Sequence, residues 1–260
     1  MAIDIANART LLFAPGHRPD RFAKAAASGA DAVVLDLEDA VGTESKEQAR
    51  AHVRTWLSQG HRALVRINAP ATPWHADDLG LIREFDCPVM LPKAEDPSHV
   101  DGLSAVVPLL ETALGIAQAV AVCSAPGVIR PAFGSVDLAA QLGVDHRSHE
   151  ALRYARSSIV LAAAAAGCAA PIDGVTTALH DEATLRADLD EAVTIGYTGK
   201  LCVHPNQIGV ANRRLGPTDA EIEWARSVLT GSTNDSVTVH DGEMIDRPVL
   251  LRARAILARA

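Results

Sequence analysis

The stretch AVVLDLEDAVGTESKEQAR, residues 32–50, decides the fold because it joins a buried strand to a helix through a group of carboxylates. Its first half is a short, β-branched apolar run of the kind found in parallel sheets. That run ends in Asp36, Glu38 and Asp39. The second half has the apolar spacing of an amphipathic helix. The stretch therefore predicts a βα unit whose strand ends in an acidic loop.

The same alternation of apolar runs and amphipathic helical patterns continues along the chain, which is typical of βαβ units. Two helix ends are marked by Ser45 with Gln48, at the spacing of a capping box, and by Ser148 before a long helix that Gly167 closes. Eight strands in a chain of this length favour a (β/α)8 barrel, with an open doubly wound sheet as the alternative. The expected strands are 10–16, 32–39, 62–68, 88–93, 105–112, 127–134, 168–176 and 200–205.

The pattern changes after the eighth strand. Residues 217–229 have the pattern of a helix, residues 230–237 that of a flexible linker, and residues 241–260 that of a loop followed by a terminal helix. We therefore expect a barrel catalytic domain at 1–216 and a C-terminal helical extension and lid at 217–260. An extension of this kind can cover the mouth of its own barrel or of a neighbouring one.

Composition excludes several classes of protein. A chain of 260 residues with 48% hydrophobic content can bury a substantial core. A net charge of −8 argues against nucleic acid or an anionic membrane surface as the main partner. The longest apolar stretch, 159–172, falls short of the roughly 20 residues that cross a bilayer. Without a signal-peptide pattern or a C-x-x-C pair, we expect a cytoplasmic protein with reduced thiols at Cys87, Cys123, Cys168 and Cys202.

Polar residues recur where the predicted strands end, which is the face of a parallel barrel that carries its active site. The alternative for Asp36, Glu38 and Asp39 is a solvated loop in which Asp39 caps a helix. A set that recurs at the ends of several strands favours a site instead. Beyond the second strand, this set consists of Arg66, Asn68, Lys93, Glu111, Asp137 and His204.

So many carboxylates around one pocket would raise one another's pKa unless a cation were bound. Mg²⁺ prefers oxygen ligands, commonly takes one or two protein carboxylates, and leaves positions for water and substrate. We expect Glu111 and Asp137 to be its ligands, since both lie at strand ends before small or apolar residues. The alternative for Glu111 is a buried salt bridge to Arg66 or Lys93.

A series of motifs, taken in order, resembles one family. The motifs are LLFAPGHRPDRFAKAAASGADAVVLDLEDAV, VRINAPATPWHADDL, VMLPKAED, LLETALG, AFGSVDLAAQLG, YARSSIVLAAAAAG, GYTGKLCVHPNQI and DGEMIDRPV. Together they resemble the citrate lyase β-subunit-like branch of the HpcH/HpaI aldolase superfamily, from Leu11 to Val249. Motifs at so many ordered positions are more specific than any single one.

The resemblance implies a (β/α)8 barrel, trimeric or hexameric, that uses Mg²⁺ to cleave or form a carbon–carbon bond. The implied substrates are 3-hydroxyacyl-CoA thioesters such as malyl-, citramalyl- or citryl-CoA, and the products are acetyl-CoA or another acyl-CoA and a 2-oxo acid. By position, the metal ligands of the family fall on Glu111 and Asp137, and its substrate-binding arginine falls on Arg66. Its acidic pair falls on Glu38 and Asp39.

Further roles follow from the same resemblance. The tail aspartate of the family falls on Asp246, which would transfer protons unless water held by Glu38 and Asp39 does so. The backbone amides of Gly134 and Ser135 are expected to bind the carboxylate of the substrate. Near the first strand, basic residues are expected to contact the phosphates of CoA, with ordinary solvated helix charge as the alternative. The remaining expected substrate contacts are Phe13, Arg18, Lys24 and Lys93.

Three functions are consistent with these residues. The first is a free-standing 3-hydroxyacyl-CoA lyase. The second is the citryl-carrier lyase β subunit of a citrate lyase complex, or a malate-synthase or thioesterase relative. The third is a non-catalytic oligomeric protein that binds CoA esters, and the intact set of Arg66, Glu111, Asp137 and Asp246 argues against it.

Overall fold

In a computed structural model, which describes residues 3–231, 238–240 and 243–258, eight described strands close into a parallel barrel. Each strand pairs with the next, and β8 closes on β1. The predicted (β/α)8 barrel is confirmed, and the open sheet is wrong. The strands are β1 (Thr10–Pro15), β2 (Ala32–Asp36), β3 (Leu64–Arg66), β4 (Val89–Leu91), β5 (Val106–Leu110), β6 (Ala132–Phe133), β7 (Ile172–Asp173) and β8 (Gly199–Cys202).

The interior of the barrel is a packed apolar core. Side chains alternate between the two faces of a strand, so residues two apart point the same way. Asp36, Arg66 and Glu111 each follow an inward-facing core residue by two positions, which directs all three to the carboxyl end of the interior. The buried core consists of Ile5, Ala8, Leu11, Ala32, Val34, Leu64, Met90, Val107, Leu109, Ala132, Ile172 and Leu201.

Helices follow the strands. As predicted, the Ser148 hydroxyl caps a long helix by accepting from the Ala151 N–H at 3.2 Å, and Gly167 ends it in the left-handed conformation. The Ser45–Gln48 capping box is wrong, because Ser45 has near-helical dihedrals after a 3-10 turn and its side chain makes no capping bond. The helices are α1 (Phe22–Ala26), α2 (Lys46–Ser58), α3 (His75–Phe85), α4 (Ala113–Ala117), α5 (Ala119–Cys123), α6 (Ser135–Leu142), α7 (His149–Ala166), α8 (Glu182–Ile195) and α9 (Ile208–Leu215).

The chain divides into two compact units, residues 1–212 and residues 213–260. The two predicted C-terminal helices are confirmed, the pair of strands between them was missed, and most of the predicted linker, residues 232–237, lies outside the described residues. Among the helices that the structure describes, none combines the length and the hydropathy of a membrane span. The second unit contains α10 (Asp219–Gly231), the antiparallel strands β9 (Thr238–His240) and β10 (Glu243–Ile245), and α11 (Arg247–Leu257).

Candidate active site

A bidentate ion pair lies at the carboxyl ends of β2 and β3. The Nε and Nη2 atoms of Arg66 lie 2.7 and 2.6 Å from the two carboxylate oxygens of Asp36, which is 1% exposed. Burial acts against the guanidinium charge, but Asp36, Glu38 and Asp39 more than offset it and raise the pKa of Arg66. Arg66 is therefore a fixed cation, and its Nη1 atom donates to Asp39 Oδ2 at 3.4 Å.

Asp36 is thus a functional residue whose role the sequence reasoning missed. It is not part of a solvated loop, and it lies directly opposite Arg66 in the β2–β3 pair, a register that only the structure shows. Glu38 is also buried, whereas Asp39 is exposed. The solvated-loop alternative is therefore wrong for Asp36 and Glu38.

Glu38 lies between two cations. Its Oε1 atom is 2.9 Å from Lys93 Nζ, and its Oε2 atom is 3.1 Å from Arg66 Nη1. The second contact lacks hydrogen-bond alignment, so the buried Oε2 atom has no hydrogen-bond partner within the described residues. Burial raises the pKa of Glu38, although Arg66 and Lys93 oppose this shift. Glu38 is therefore a carboxylate with one oxygen left to accept a proton.

Lys93 connects the two acidic parts of the site. Its side chain reaches Glu38, and its backbone N–H donates to Glu111 Oε1 at 2.8 Å. Lys93 adopts a φ of 48°, a left-handed conformation that is uncommon and unfavourable for a residue with a side chain. The turn after β4 is therefore held in a strained conformation that serves both contacts.

Glu111 and Asp137 supply the carboxylates expected to bind a metal. Glu111 follows β5 and is 2% exposed, and its pKa is raised to about 8, first by burial and then by the Glu38 and Asp137 carboxylates. The salt-bridge alternative is wrong, because the side chains of Arg66 and Lys93 pair with other carboxylates. Crowded oxygen donors of like charge fit a divalent cation.

The described residues contain no group of three or more His, Cys, Asp or Glu side chains that could hold a metal ion. A site in this part of the chain would therefore use only two protein carboxylates, which is the coordination that Mg²⁺ commonly accepts when water and substrate complete it. The two carboxylates share a cavity with most of the predicted substrate contacts. That cavity is lined by Phe13, Arg66, Leu109, Glu111, Phe133, Gly134, Ser135, Val136, Asp137, Val175 and Leu201.

A larger cavity of about 850 Å³ adjoins this one and shares Phe13 with it. Its lining includes three basic residues near the first strand, Arg18, Arg21 and Lys24. Arg18 also forms an exposed ion pair with Asp20, so its charge is partly neutralised. The Phe13 ring lines both cavities and lies 4.8 Å from the Arg66 guanidinium.

A further cavity, of about 360 Å³, opens where the strands begin. Its lining includes Ile5, Ala63, Pro88 and Ala105, each of which precedes a strand. None of the predicted site residues lines it. In parallel barrels that end of the strands contributes stability, and the chemistry occurs at the other end.

Gly134 makes room for Glu111. A Cβ atom at this position would contact Glu111 Cβ and lie 2.5 Å from its Oε2 atom. We expect Gly134→Ala to displace the Glu111 carboxylate and to destabilise the protein by about 1–3 kcal/mol in denaturant unfolding. Gly80→Ala is a matched control, because it lies in α3 with nothing within 4 Å and should be slightly stabilising. Equal unfolding curves for the two variants would contradict this role of Gly134.

Two other predicted residues have local structural roles. His204 caps the turn after β8, since its Nδ1 atom accepts from the Asn206 N–H at 3.2 Å and Gln207 completes a capping box. Asp246 caps α11, since its Oδ1 atom accepts from the Val249 N–H at 3.2 Å. Sequence reasoning assigned both residues to the site and missed these caps.

A closed parallel barrel with a buried arginine and clustered carboxylates at its carboxyl end defines a barrel enzyme. Residues 9–205 match the model of the HpcH/HpaI aldolase/citrate lyase family, and the chain belongs to this family. The predicted family is confirmed, and with it the predicted class of enzyme, a carbon–carbon lyase.

Named relatives agree with this placement. The chain is 38% identical to a citrate lyase subunit beta-like protein of Mycobacterium tuberculosis, over 96% of this chain and 94% of that one. It is 32% identical to a (3S)-malyl-CoA thioesterase of Cereibacter sphaeroides, over 97% and 94% of the two chains. A crystal structure of CitE from M. tuberculosis with magnesium, acetoacetate and coenzyme A is similar, with a TM-score of 0.85, 36% identity and coverage of 98% of this chain and 99% of that chain.

Proposed function

We propose that this protein is an Mg²⁺-dependent lyase that cleaves a 3-hydroxyacyl-CoA into an acyl-CoA, such as acetyl-CoA, and a 2-oxo acid, or runs the reverse condensation. The observation that carries the proposal is the buried Glu111 carboxylate, crowded by Asp137 in the same cavity as the Arg66 guanidinium. The magnesium and coenzyme A bound by the similar CitE protein support it. Such a cleavage expels an enolate, so the site must remove a proton and stabilise negative charge.

Glu111 and Asp137 would hold the ion through their carboxylate oxygens. When bound, Mg²⁺ supplies a Lewis acid for the hydroxyl and carboxylate oxygens of the substrate. The Ser135 N–H lies at the N-terminus of α6, where unpaired N–H groups favour an anion, whereas the Gly134 N–H already donates to the Leu110 carbonyl at 3.0 Å. The Ser135 amide binds and orients the carboxylate of the acid half, and the role expected of the Gly134 amide is wrong because Leu110 occupies its N–H.

Arg66 stabilises the oxyanion of the enolate. Asp36 engages Nε and Nη2 and fixes the plane of the guanidinium, while Nη1 donates one N–H to Asp39 at 3.4 Å and keeps a second N–H for the enolate oxygen. A donor that is already oriented needs no reorganisation as charge develops. The Phe13 ring packs against the same guanidinium at 4.8 Å.

Glu38 is the acceptor of the hydroxyl proton. Its Oε2 atom lacks a hydrogen bond, and burial raises its pKa toward the range in which a carboxylate is an effective base. As the proton moves to Glu38, the electron pair of the O–H bond forms the carbonyl of the 2-oxo acid. The carbon–carbon bond then breaks and its electron pair becomes the enolate of the acyl thioester, which takes up a proton at its α carbon to give the acyl-CoA.

The test is direct assay with a panel of 3-hydroxyacyl-CoAs in the presence of Mg²⁺. We expect equimolar release of an acyl-CoA and a 2-oxo acid, and loss of this activity when a chelator removes the metal. The same assay with 2-oxo acid and acyl-CoA should show the condensation. Failure to convert any thioester of the panel in either direction would contradict the proposed function.

A thioesterase is the second candidate, because the chain is similar to a (3S)-malyl-CoA thioesterase over nearly its whole length. Hydrolysis would release free CoA and an intact hydroxy acid, and a thiol reagent distinguishes free CoA from an acyl-CoA. Release of a free thiol without a 2-oxo acid would favour this candidate. Release of both products would indicate cleavage followed by hydrolysis.

The resemblance also assigns a proton-transfer role to Asp246. We expect Asp246→Asn to lose most turnover while its melting temperature stays the same, because asparagine caps a helix as well as aspartate does but carries no charge. The control is Asp181→Asn, which changes the equivalent cap of α8. Full turnover in Asp246→Asn would show that the residue serves the helix cap alone.

We extend the proposal to a cytoplasmic homotrimer or hexamer. Two large apolar side chains of α7 support self-association, because Tyr154 and Leu161 are 81% and 70% exposed on the same face of that helix. The four cysteines are free, as suits a reducing compartment. Light scattering of the purified protein tests the subunit number, and a monomer would contradict this extension.

A further inference from the structure

A buried lysine at the start of α2 contacts the loop that carries the acidic pair. Lys46 is 7% exposed, and its Nζ atom donates to the carbonyl oxygens of Leu37 at 2.8 Å and Glu38 at 2.7 Å. The ring of Trp74 lies 5.3 Å from the same atom. An ammonium group in this setting is costly to bury, so its contacts must compensate for lost hydration.

In the loop after β2, both the backbone N–H groups and the backbone carbonyl groups have hydrogen-bond partners. The N–H groups of Glu38 and Ala40 donate to the two oxygens of Asp36, at 2.9 and 3.2 Å. The Leu37 and Glu38 carbonyls point the other way, and Leu37 is fully buried, so water does not serve its carbonyl. Lys46 supplies the donor that the buried Leu37 carbonyl needs and a second donor to the Glu38 carbonyl, which also accepts from the Val41 N–H at 3.0 Å, and so it ties this loop to the start of α2.

Three basic residues of α2 lie one turn apart on the same side of the helix. Lys46 reaches the loop after β2, Arg50 pairs with Asp78 at 2.7 Å, and Arg54 pairs with Glu84 at 3.0 Å. The first two are buried at the active-site end, whereas the Arg54 side chain is 46% exposed. Arg54 therefore provides a control on the same helix for the loss of the basic side chain of Lys46.

We infer that Lys46 is a positioning residue, which holds Glu38 and Asp39 by ordering the backbone of the loop between β2 and α2. This inference rests on the proposed function for its catalytic consequence, since Glu38 is the proton acceptor of that mechanism. Lys46 itself faces the carbonyls and touches no substrate cavity described above.

The test compares Lys46→Met with Arg54→Met in the full chain. Methionine has a similar length but no donor, so both changes remove one basic side chain from the same helix. Residue-resolved amide exchange of Leu37, Glu38 and Val41 measures the order of the loop. We expect exchange in Lys46→Met to be about 10- to 100-fold faster than in the wild type, and Arg54→Met to match the wild type.

Kinetics then separate positioning from general destabilisation. We expect Lys46→Met to lower kcat on the order of 10-fold or more with little change in the KM of the thioester, because a displaced base affects the reaction more than it affects CoA binding. Lys46→Arg, which keeps donors for both carbonyls, should restore slow exchange and most of kcat. A wild-type kcat in Lys46→Met would overturn the inference.

The exchange measurement needs no substrate. If the wild type turns over none of the thioesters, the proposed function fails, yet amide exchange still decides whether Lys46 orders the loop. If Lys46→Met does not fold, Lys46→Gln replaces it in the comparison. Glutamine keeps a donor but no charge, so we expect its amide exchange rates to be faster than those of the wild type but slower than those expected for a side chain without a donor. Unchanged exchange at Leu37, Glu38 and Val41 in the folded variant would overturn the assignment.

Discussion

Glu111→Gln and Asp137→Asn are each expected to abolish Mg²⁺-dependent turnover, with kcat reduced on the order of 10³-fold, while the barrel remains folded. Glutamine keeps an oxygen for the 2.8 Å hydrogen bond from the Lys93 N–H and removes only the charge. A site of two protein carboxylates loses half of its protein charge with either substitution, so the ion should dissociate at ordinary concentrations.

Calorimetric titration with Mg²⁺ provides the measurement that is independent of substrate. The raised pKa of Glu111, about 8, means that the metal must displace a proton at neutral pH. Affinity in the wild type should therefore rise about tenfold per pH unit from pH 6 toward pH 8 and level off above it. In Glu111→Gln this dependence should disappear together with most of the affinity.

A control variant tests whether the loss of any carboxylate charge lowers the Mg²⁺ affinity. Glu47 is an exposed carboxylate of α2, and Glu47→Gln should keep both the wild-type affinity and its pH dependence. Wild-type Mg²⁺ affinity in both Glu111→Gln and Asp137→Asn would contradict the assignment of these two residues as metal ligands. The lyase proposal would then have to explain how the enolate forms without the ion.

The location of the candidate site was predictable because period-two alternation is a local property. Three of the predicted parallel strands contain residues 32–36, 64–66 and 106–110. In each strand the inward-facing residue nearest the carboxyl end lies at the same end of the barrel as the others. This is why Arg66 and Glu111 could be paired with one pocket from the sequence alone. The existence and order of the eight strands were equally accessible, but their lengths were not, since the predicted strands 127–134 and 168–176 shrink to Ala132–Phe133 and Ile172–Asp173.

The partners within the site were not predictable, because they depend on register and on backbone conformation. Asp36 holds Arg66 only because β2 and β3 pair at that register, and no local pattern indicates it. Nothing in the residues around Lys93 signals a positive φ, since such residues adopt it only where surrounding contacts impose it. The failed cap at Ser45 has a related cause, since a 3-10 turn before α2 alters the dihedrals that a capping box requires.

The second large effect concerns the arginine at the end of β3. Arg66→Lys is expected to lower kcat on the order of 10²-fold, although the charge is conserved. Arg66 satisfies both oxygens of Asp36 with two donors, and its Nη1 atom bonds Asp39 at 3.4 Å with one N–H and has a second N–H for the substrate. A lysine ammonium is a single point of charge on a flexible stem, and it can serve the buried carboxylate or the enolate oxygen but not both in fixed geometry.

The control is Arg54→Lys on α2, where the pair with Glu84 is exposed and should tolerate the change with little effect on stability or turnover. Arg66→Lys should also lower the melting temperature, because Asp36 is 1% exposed and would keep only part of its pairing. Steady-state kinetics of the folded variant then separate the two roles. A lower kcat with a modest change in KM means that the guanidinium acts on the developing oxyanion. A near-normal kcat with a raised KM would mean that Arg66 binds the substrate without stabilising the enolate, and the stabilisation would then fall to the ion held by Glu111 and Asp137.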